Sequence, residues 1–280
     1  MQLFPYKNHF ITQLTELYGR EEAEQFFYML SEHFLGFTKV EVALEAQKEL
    51  TPAEIGEFDQ ALKRLKQQEP IQYIIGKTYF YGNDFKVTTA TLIPRPETEE
   101  LVKWIIADNQ DRNINILDIG TGSGCIAISL SQNLSRARVS AVDISAEALL
   151  IAKENATNLN VSVNFQQQDI LNATSFSDNF DVVVSNPPYV RDLEKEMMSA
   201  NVLDYEPGTA LFVTNEDPLL FYRKIAQLFL AEAKKEATLY FEINEYLGSE
   251  LKELLSNLGF QFVEIRKDFR GKDRMLKATL

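Results

Sequence analysis

Apolar residues recur every three or four positions between residues 6 and 68, which is the period of an amphipathic helix. Four short helices fit this stretch. Thr51 suits the N-cap of the last one, because Pro52 can occupy the first helical position and Glu54 completes a capping box. The pattern therefore predicts a small helical bundle at the amino end of the sequence.

The next stretch, which runs to Pro94, is rich in Tyr, Ile, Phe, Val and Thr, with two glycines. This composition is typical of extended chain with a turn, and we expect a hairpin-like linker. Pro94 and Pro96 exclude helix up to that point, and the acidic residues that follow suit the first turn of a new helix. The chain thus divides into a helical domain at 1–75, a linker at 76–93 and a larger domain at 94–280.

Beyond residue 113, apolar strands alternate with amphipathic helices, which indicates a mostly parallel sheet covered on both faces. The predicted strands are 114–119, 138–143, 161–166, 180–185, 237–243, 260–267 and 274–280, and the predicted helices lie near 124–134, 145–158, 217–234 and 245–257. The last two strands are joined by a segment too short for a helical crossover, so they should form an antiparallel hairpin at or near one edge. The predicted fold class is α/β, with a small all-α amino-terminal domain.

Composition limits the chemistry that the chain can perform. The single cysteine, Cys125, cannot form an intramolecular disulfide, and two histidines leave no material for a Cys/His metal site. Neither a signal-like start nor an uncharged apolar run of the ~18 residues that a membrane helix needs is present. We therefore expect a cytoplasmic protein without a metal site or a membrane contact. The net charge of -13 also disfavours a nucleic-acid partner unless basic residues gather on one face.

A glycine-rich turn follows the first predicted strand of the larger domain and leads into a helix. In a doubly wound sheet this is the usual place for a nucleotide-like ligand, since glycines allow close approach and helix amides can donate to the ligand. A dinucleotide fingerprint needs glycine at its sixth position, whereas Gly124 is the fifth residue counted from Gly120. This disfavours NAD and FAD, and leaves a nucleoside cofactor or a plain tight turn.

Acidic residues lie at the end of the next predicted strand and shortly after the one that follows. Asp143 ends the second strand, where its carboxylate could accept hydrogen bonds from both hydroxyls of a ribose. The alternative is that Asp143 caps the helix that starts at Ser145. Asp169 follows the third strand, where it could meet an adenine amino group, although a turn-forming aspartate fits equally well.

The tetrapeptide Asn186-Pro187-Pro188-Tyr189 ends a buried strand, so by the sheet rule it lies in the ligand crevice. An amide or aromatic amino nitrogen is a poor nucleophile because its lone pair is delocalised. If the Asn186 side-chain oxygen and the Pro187 carbonyl accept its two N–H bonds, the nitrogen is held in line with a sulfonium methyl group and its developing charge is stabilised. Tyr189 would pack against the flat group. The alternative is a proline-stiffened loop with an Asn cap.

Four segments together resemble the HemK/PrmC-type N5-glutamine methyltransferases, which modify the glutamine of the Gly-Gly-Gln motif in peptide chain release factors. They are residues 92–99, 120–124, 186–189 and 205–207. The resemblance implies a class I (Rossmann-like) methyltransferase sheet of seven strands, the last running antiparallel, with S-adenosylmethionine as cofactor. It also implies that the helical domain helps to hold the release factor, and we expect the protein to be a monomer.

The family's functional positions fall on matching residues of this chain. The resemblance assigns cofactor binding to Gly120, Thr121, Gly122, Ser123, Gly124, Asp143 and Asn186. It assigns glutamine binding to Asn186, Pro187, Pro188 and Tyr189, with Asn186, Pro187 and Tyr189 as the catalytic set. Some relatives carry an aromatic residue where this chain has Ile170, so stacking on adenine from that position is not implied.

Three other functions are compatible with the sequence. Enzymes that methylate adenine in DNA or RNA share the tetrapeptide but usually carry a basic groove, whereas the one basic cluster here, within 266–274, fits the terminal hairpin. A ribosomal-protein glutamine methyltransferase would use the same catalytic apparatus, although residues 95–99 look more like the release-factor branch. A binding module without turnover is disfavoured by the joint presence of the glycine-rich loop, Asp143 and Asn186.

Overall fold

The structure is a computed structural model that describes residues 1–232, 234 and 236–280, with Met197 described by its backbone alone. In chain order the helices are α1 (Leu3–Tyr18), α2 (Arg20–Leu35), α3 (Lys39–Leu44), α4 (Pro52–Lys66), α5 (Ile71–Ile75), α6 (Pro96–Asn109), α7 (Cys125–Asn133), α8 (Ala146–Asn158), α9 (Ala200–Tyr205), α10 (Gly208–Leu211), α11 (Leu220–Glu232) and α12 (Gly248–Leu258). The strands are β1 (Lys77–Phe80), β2 (Asn83–Lys86), β3 (Asn115–Ile119), β4 (Arg138–Asp143), β5 (Asn164–Gln167), β6 (Val182–Ser185), β7 (Val190–Arg191), β8 (Phe212–Val213), β9 (Thr238–Glu242), β10 (Phe262–Lys267) and β11 (Asp273–Thr279), and a 3-10 helix covers Asp192–Met197.

The chain forms two compact units, one of Met1–Gly76 with Ala200–Tyr205 and one of Lys77–Ser199 with Glu206–Leu280. The first unit is helical, and the four helices predicted for it are α1 to α4. Its core contains fully buried aromatic side chains, among which Phe27 stacks on Phe58 with ring centroids 5.3 Å apart. The predicted capping box of α4 is confirmed: the Thr51 hydroxyl accepts a hydrogen bond from the Glu54 amide, and the Glu54 carboxylate accepts one from the Thr51 amide.

Residues 71–75 correct the sequence-based prediction, which had placed them in extended chain. They form the single helical turn α5, which ends at Gly76 in the left-handed conformation with φ 80°. The isoleucines that suggested a strand pack against the core of the helical unit, and Ile71 is buried there. Tertiary packing therefore overrides the local preference of β-branched residues for a strand.

The second unit is built on a seven-stranded sheet in the order β10-β11-β9-β6-β3-β4-β5. The pairs from β9 through β5 are parallel, whereas β11 runs antiparallel to both β9 and β10. This confirms the predicted fold class, including the terminal hairpin at one edge. The strand order reverses at β3, so the carboxyl ends of β3 and its neighbours flank the crevice in which doubly wound sheets bind ligands.

Strands β1 and β2 form the expected antiparallel hairpin, with Thr78 opposite Phe85. Phe80 and Phe85 are fully buried and join Trp104 in one of the two apolar clusters that cover the sheet. The hairpin therefore belongs to the core of the second unit and is more than a connection between the units.

The sequence pattern overestimates some elements and misses others. The third predicted strand, 161–166, is observed as the shorter strand β5. The helix predicted at 217–234 is observed as the shorter helix α11, and residue 233 of that prediction lies outside the described residues. Between residues 190 and 213 the structure contains five short elements that the pattern did not reveal. In the part of the chain that the structure describes, every helix is too short or too polar to cross a membrane.

Candidate functional site

A cavity of about 620 Å³ lies at the carboxyl ends of β3, β4 and β6. This volume is typical of sites for small molecules and cofactors. The lining residues that the sequence had singled out are Gly120, Thr121, Gly122, Ser123, Asp143, Asp169, Ile170, Asn186, Pro187 and Pro188. Further walls come from residues 89–98 and from residues 207–212, so residues of all four motif segments meet at one place in the fold.

Two glycines in the turn after β3 lie open to the cavity. Gly120 and Gly122 have φ of +74° and +55°, and a Cβ at either position would have no protein atom within 4 Å. Both residues belong to the cavity wall, so this open space is space for a ligand. The turn has the shape needed for close contact between its backbone and a bound molecule.

Gly124 has a different environment from the rest of the turn and is not among the described lining residues. A Cβ on Gly124 would come within 3.0 Å of the Ile128 side chain and 3.1 Å of the Ala152 Cβ, and its φ is +83°. Ala152 belongs to α8, so Gly124 allows α8 to approach the start of α7. The structure therefore gives Gly124 a packing function and does not bring it to the cavity surface.

Asp143 connects the ends of two neighbouring strands. Its Oδ2 accepts a hydrogen bond of 2.8 Å from the Gly122 amide, and its Oδ1 accepts one of 2.9 Å from the Ser145 amide. The side-chain cap of α8 is Ser145, whose hydroxyl accepts from the Ala148 amide. Burial raises the pKa of Asp143, while the backbone amides lower it. Each carboxylate oxygen keeps a lone pair, so Asp143 can still accept hydrogen bonds from a ligand.

Asp118 is a buried acid that the sequence analysis did not select. It lies in β3 with no exposed surface, and its Oδ2 accepts a hydrogen bond of 2.6 Å from the Thr121 hydroxyl. Burial raises the pKa of Asp118 to about 7, against the lowering effect of this hydroxyl. The signal available in the sequence was a carboxylate within an otherwise apolar strand. The hydrogen bond with Asp118 holds the Thr121 side chain in place within the glycine-rich turn.

The segment after β5 supplies one polar and one apolar part of the wall. Asp169 forms a turn, because its Oδ1 accepts from the Leu171 amide at 2.9 Å and its Oδ2 from the Asn172 side chain at 2.6 Å. Ile170 is buried and contributes apolar surface. The turn-forming alternative for Asp169 therefore fits the structure, while its place in the wall leaves room for a ligand contact.

The tetrapeptide is divided between the cavity and the protein core. Asn186, Pro187 and Pro188 line the cavity, and the preceding Ser185 donates a hydrogen bond of 2.7 Å to the Ile119 carbonyl, which ties the end of β6 to the end of β3. Tyr189 is not among the described lining residues. Its side chain packs against the apolar cluster on one face of the sheet, so the expected packing of Tyr189 on a flat substrate group has no counterpart in the cavity wall.

Glu242 is a second buried acid that the sequence analysis missed. It is 1% exposed at the carboxyl end of β9, where its Oε1 accepts the Tyr189 hydroxyl at 3.0 Å and its Oε2 accepts the Thr98 hydroxyl at 2.6 Å. Burial raises the pKa of Glu242, although both hydroxyls lower it. Its sequence signal was a single acid at the end of an apolar strand. Because Thr98 lines the cavity, this carboxylate supports part of the wall.

An ion pair joins two other segments of the wall. Glu206 is buried, and its carboxylate accepts hydrogen bonds from the Arg95 guanidinium at 2.6 Å and from the Ile93 amide at 3.3 Å. Arg95 and Pro207 both line the cavity. The motifs at 92–99 and 205–207 carried no assigned chemistry in the sequence. The structure shows that they are joined to each other by the hydrogen bonds of Glu206 with Arg95 and Ile93.

The fold resembles that of known methyltransferases. The hMettl16 catalytic domain is 16% identical, with a TM-score of 0.55 and 82% of each chain covered. A methyltransferase from Pyrococcus furiosus is 19% identical, with a TM-score of 0.51, 79% of this chain and 98% of that chain covered. At these identities the likeness concerns the fold alone.

Sequence comparisons are more specific. The family model of the methyltransferase small domain matches residues 98–237, and that of the PrmC N-terminal domain matches residues 8–76. A release factor glutamine methyltransferase of Flavobacterium psychrophilum is 47% identical over 98% of this chain and 98% of its own length. One of Bacteroides thetaiotaomicron is 44% identical over 95% of this chain and 96% of its own. The chain therefore belongs to the release factor glutamine methyltransferase family.

Proposed function

We propose that the protein transfers the methyl group of S-adenosylmethionine to the side-chain nitrogen (N5) of the glutamine in the Gly-Gly-Gln motif of peptide chain release factors. The observation that carries this proposal is the meeting of Asn186 and Pro187 with the open glycine turn and Asp143 in one cavity wall. The same name, release factor glutamine methyltransferase, is borne by relatives that match this chain over nearly its whole length. Substrate and site are thus supported by independent observations.

The residues of the cavity fit the cofactor. The turn at Gly120 and Gly122 leaves space where any larger residue would place a Cβ, and the Thr121 and Ser123 positions add polar groups beside it. Asp143 lines the cavity and would accept hydrogen bonds from the ribose hydroxyls, and Ile170 would offer apolar surface to the adenine. When bound, the cofactor supplies an electrophilic methyl group on a sulfonium centre.

The tetrapeptide holds the acceptor nitrogen. The Asn186 side-chain oxygen and the Pro187 carbonyl accept the two N–H bonds of the glutamine amide, which fixes the nitrogen in line and stabilises the positive charge that develops on it. Pro188 stiffens the backbone so that these acceptors keep their direction. A general base is not required before transfer, because the methylated nitrogen becomes acidic and releases its proton to solvent afterwards.

The helical unit is proposed to help hold the release factor. The match of residues 8–76 to the PrmC N-terminal domain supports this assignment, since that model belongs to the same family. We also propose that the protein acts as a cytoplasmic monomer.

Methylation of a nucleic acid is the main rival activity, and the charge arrangement disfavours it. All five cations of the basic cluster are paired with carboxylates: Arg266 with Glu264, Lys267 with Asp273, Arg270 with Glu97, Lys272 with Glu245, and Arg274 with Asp268. Pairing of this kind reduces the net positive field that a phosphate backbone would meet. A ribosomal-protein glutamine is the second rival, and the two relatives described above bear the release-factor name instead.

The deciding experiment incubates the purified protein with S-adenosylmethionine and a release factor, followed by mass spectrometry of the Gly-Gly-Gln peptide. A release factor with alanine in place of the motif glutamine is the matched negative control. An adenine-containing DNA duplex and total ribosomal protein are tested as alternative substrates. We expect a single added methyl group on the glutamine. Methyl on DNA or on a ribosomal protein, with none on the release factor, would reject the assignment.

A further inference from the structure

We propose that Glu242 and Asn244 are positioning residues that fix the direction of the nitrogen-binding acceptors at Asn186 and Pro187 by holding Tyr189 at two points. This inference rests on the proposed function, because it concerns the geometry with which that site holds the glutamine nitrogen. Neither residue lines the cavity among the described residues, so both act through the tetrapeptide.

Both contacts come from the carboxyl end of β9. In the sheet β9 pairs with β6 in parallel register, with Phe241 opposite Ser185, so Glu242 and Asn244 lie beside the chain that leaves β6. The Glu242 carboxylate accepts the Tyr189 hydroxyl at 3.0 Å, and the Asn244 side chain donates to the Tyr189 carbonyl at 3.1 Å. One residue thus holds the side chain of Tyr189, and the other holds its backbone.

Each of the two residues is itself held in place. Glu242 accepts a second hydroxyl from Thr98 at 2.6 Å, and its backbone carbonyl accepts the Tyr222 hydroxyl at 3.1 Å. A buried carboxylate with defined partners for both oxygens cannot rotate without breaking one of these hydrogen bonds. Through Thr98 it also connects the tetrapeptide to the cavity wall at the start of α6.

The orientation of Asn244 is set by its neighbours. Its Oδ1 accepts a hydrogen bond of 2.9 Å from the Tyr246 amide, so its Nδ2 must face the Tyr189 carbonyl and the Glu194 carboxylate, which it reaches at 3.0 Å. Glu194 is held in turn by Arg191, whose amide donates to it at 2.9 Å. The residues that follow Tyr189 in the chain, up to Glu194, are therefore held in place as well.

The arrangement matters because the tetrapeptide contains two prolines and therefore few amides with which to hold itself in place. With φ of Pro187 and Pro188 restricted, the direction of the carbonyls depends on where the two ends of the segment are anchored. One end is anchored through Ser185, which donates to the Ile119 carbonyl. Tyr189 anchors the other end. Because a misplacement of about 1 Å at a reacting group can cost ~100-fold in rate, the second anchor should affect turnover more than binding.

The test compares Tyr189→Phe, Glu242→Leu and the double variant with the wild-type protein, because leucine at position 242 cannot accept either hydroxyl. Tyr240→Phe is the matched control, since the Tyr240 hydroxyl also donates to a carboxylate, that of Asp108, at 2.7 Å. We expect Tyr189→Phe and Glu242→Leu each to lower kcat about 10- to 100-fold, with KM for the release factor and affinity for S-adenosylhomocysteine nearly unchanged. The double variant should lose no more than the worse single variant, and Tyr240→Phe should retain wild-type kcat.

A second readout needs no substrate. Amide hydrogen exchange of the peptide that covers residues 189–196 should accelerate in Glu242→Leu and in Tyr189→Phe but not in Tyr240→Phe. Wild-type kcat and exchange in Tyr189→Phe would overturn the proposal, as would additive losses in the double variant. If the wild-type protein left every release factor unmodified while the exchange pattern held, the proposed function would fail and the two-point hold of Tyr189 would stand.

Discussion

The Gly122 amide donates a hydrogen bond of 2.8 Å to Oδ2 of Asp143, so the acid at the end of β4 also shapes the glycine turn after β3. Asp143 therefore holds the turn, and under the proposed function it also offers acceptors to the ribose of the cofactor. Neither effect requires the other, but a single substitution removes both.

Asp143→Ala should weaken binding of S-adenosylhomocysteine by about 10- to 100-fold, the effect of losing hydrogen bonds to a charged group. Titration calorimetry measures this directly. Asp181→Ala is the control, because Asp181 also accepts a backbone amide, that of Asn115 at 2.8 Å, but is not among the described lining residues, so its loss should lower stability with little change in affinity. Unchanged affinity in Asp143→Ala would show that the carboxylate only organises the backbone.

The same substitution is expected to have different effects at Gly122 and at Gly124: a loss of cofactor affinity at the first and a loss of stability at the second. Gly122→Ala places a Cβ in the open space of the cavity and should lower cofactor affinity by more than about tenfold. Gly124→Ala places a Cβ within 3.0 Å of Ile128 at φ +83°, and should lower the free energy of unfolding by about 1–3 kcal/mol. Calorimetry and chemical denaturation of both variants separate these outcomes. Equal loss of affinity in both would mean that Gly124 also contacts the cofactor.

Asp118 predicts a pH dependence of stability. Its pKa in the folded state is raised to about 7, above the ordinary value of 3.8, because the charged form is buried. Its contribution to stability is therefore fully present below about pH 4 and is lost as pH rises through 7, since folding then has to bury the charge. Asp118→Asn should show a smaller fall in unfolding free energy between pH 5 and pH 8, measured by urea denaturation. Equal falls in the variant and the wild type would contradict the assignment.

Much of this site could be anticipated because its residues follow strands that are readable from their apolar runs. The strand at 138–143 was predicted with its observed ends, and the sheet rule then placed Asp143 and Asn186 at the same edge. The direction of Tyr189 could not be anticipated, since it depends on Glu242, which lies 53 residues away in the chain. Local sequence patterns carry no information about such a partner.

The short elements between residues 190 and 213 were missed for a related reason. This segment is tied down by contacts that local periodicity does not encode, such as the ion pair of Glu206, between α9 and α10, with Arg95 across 111 positions of the chain. A two-residue strand or a single helical turn is also shorter than the window over which a period can be recognised. The motif at 205–207 was visible in the sequence, but its structural partner was not.

Asn186→Ala should lower kcat by about 100- to 1,000-fold, the usual effect of removing one hydrogen-bond partner of a transition state. Asn133→Ala is a matched control: Asn133 ends α7, and its side chain donates to the Ser129 carbonyl away from the cavity lining. Turnover of a release factor under single-turnover conditions measures the chemical step. Near-wild-type turnover in Asn186→Ala would mean that other atoms hold the nitrogen.

A variant that lacks residues 1–75 tests whether the helical unit recognises the protein substrate. Since the cavity-lining residues that the structure describes all belong to the second compact unit, affinity for S-adenosylhomocysteine should stay within about twofold of wild type. That measurement also serves as the check that the second unit has kept its fold. The value of kcat/KM for the release factor should fall at least tenfold, because contacts outside the catalytic site provide binding energy that the glutamine alone cannot supply. Undiminished kcat/KM in a variant that binds the cofactor normally would assign all substrate recognition to the second unit.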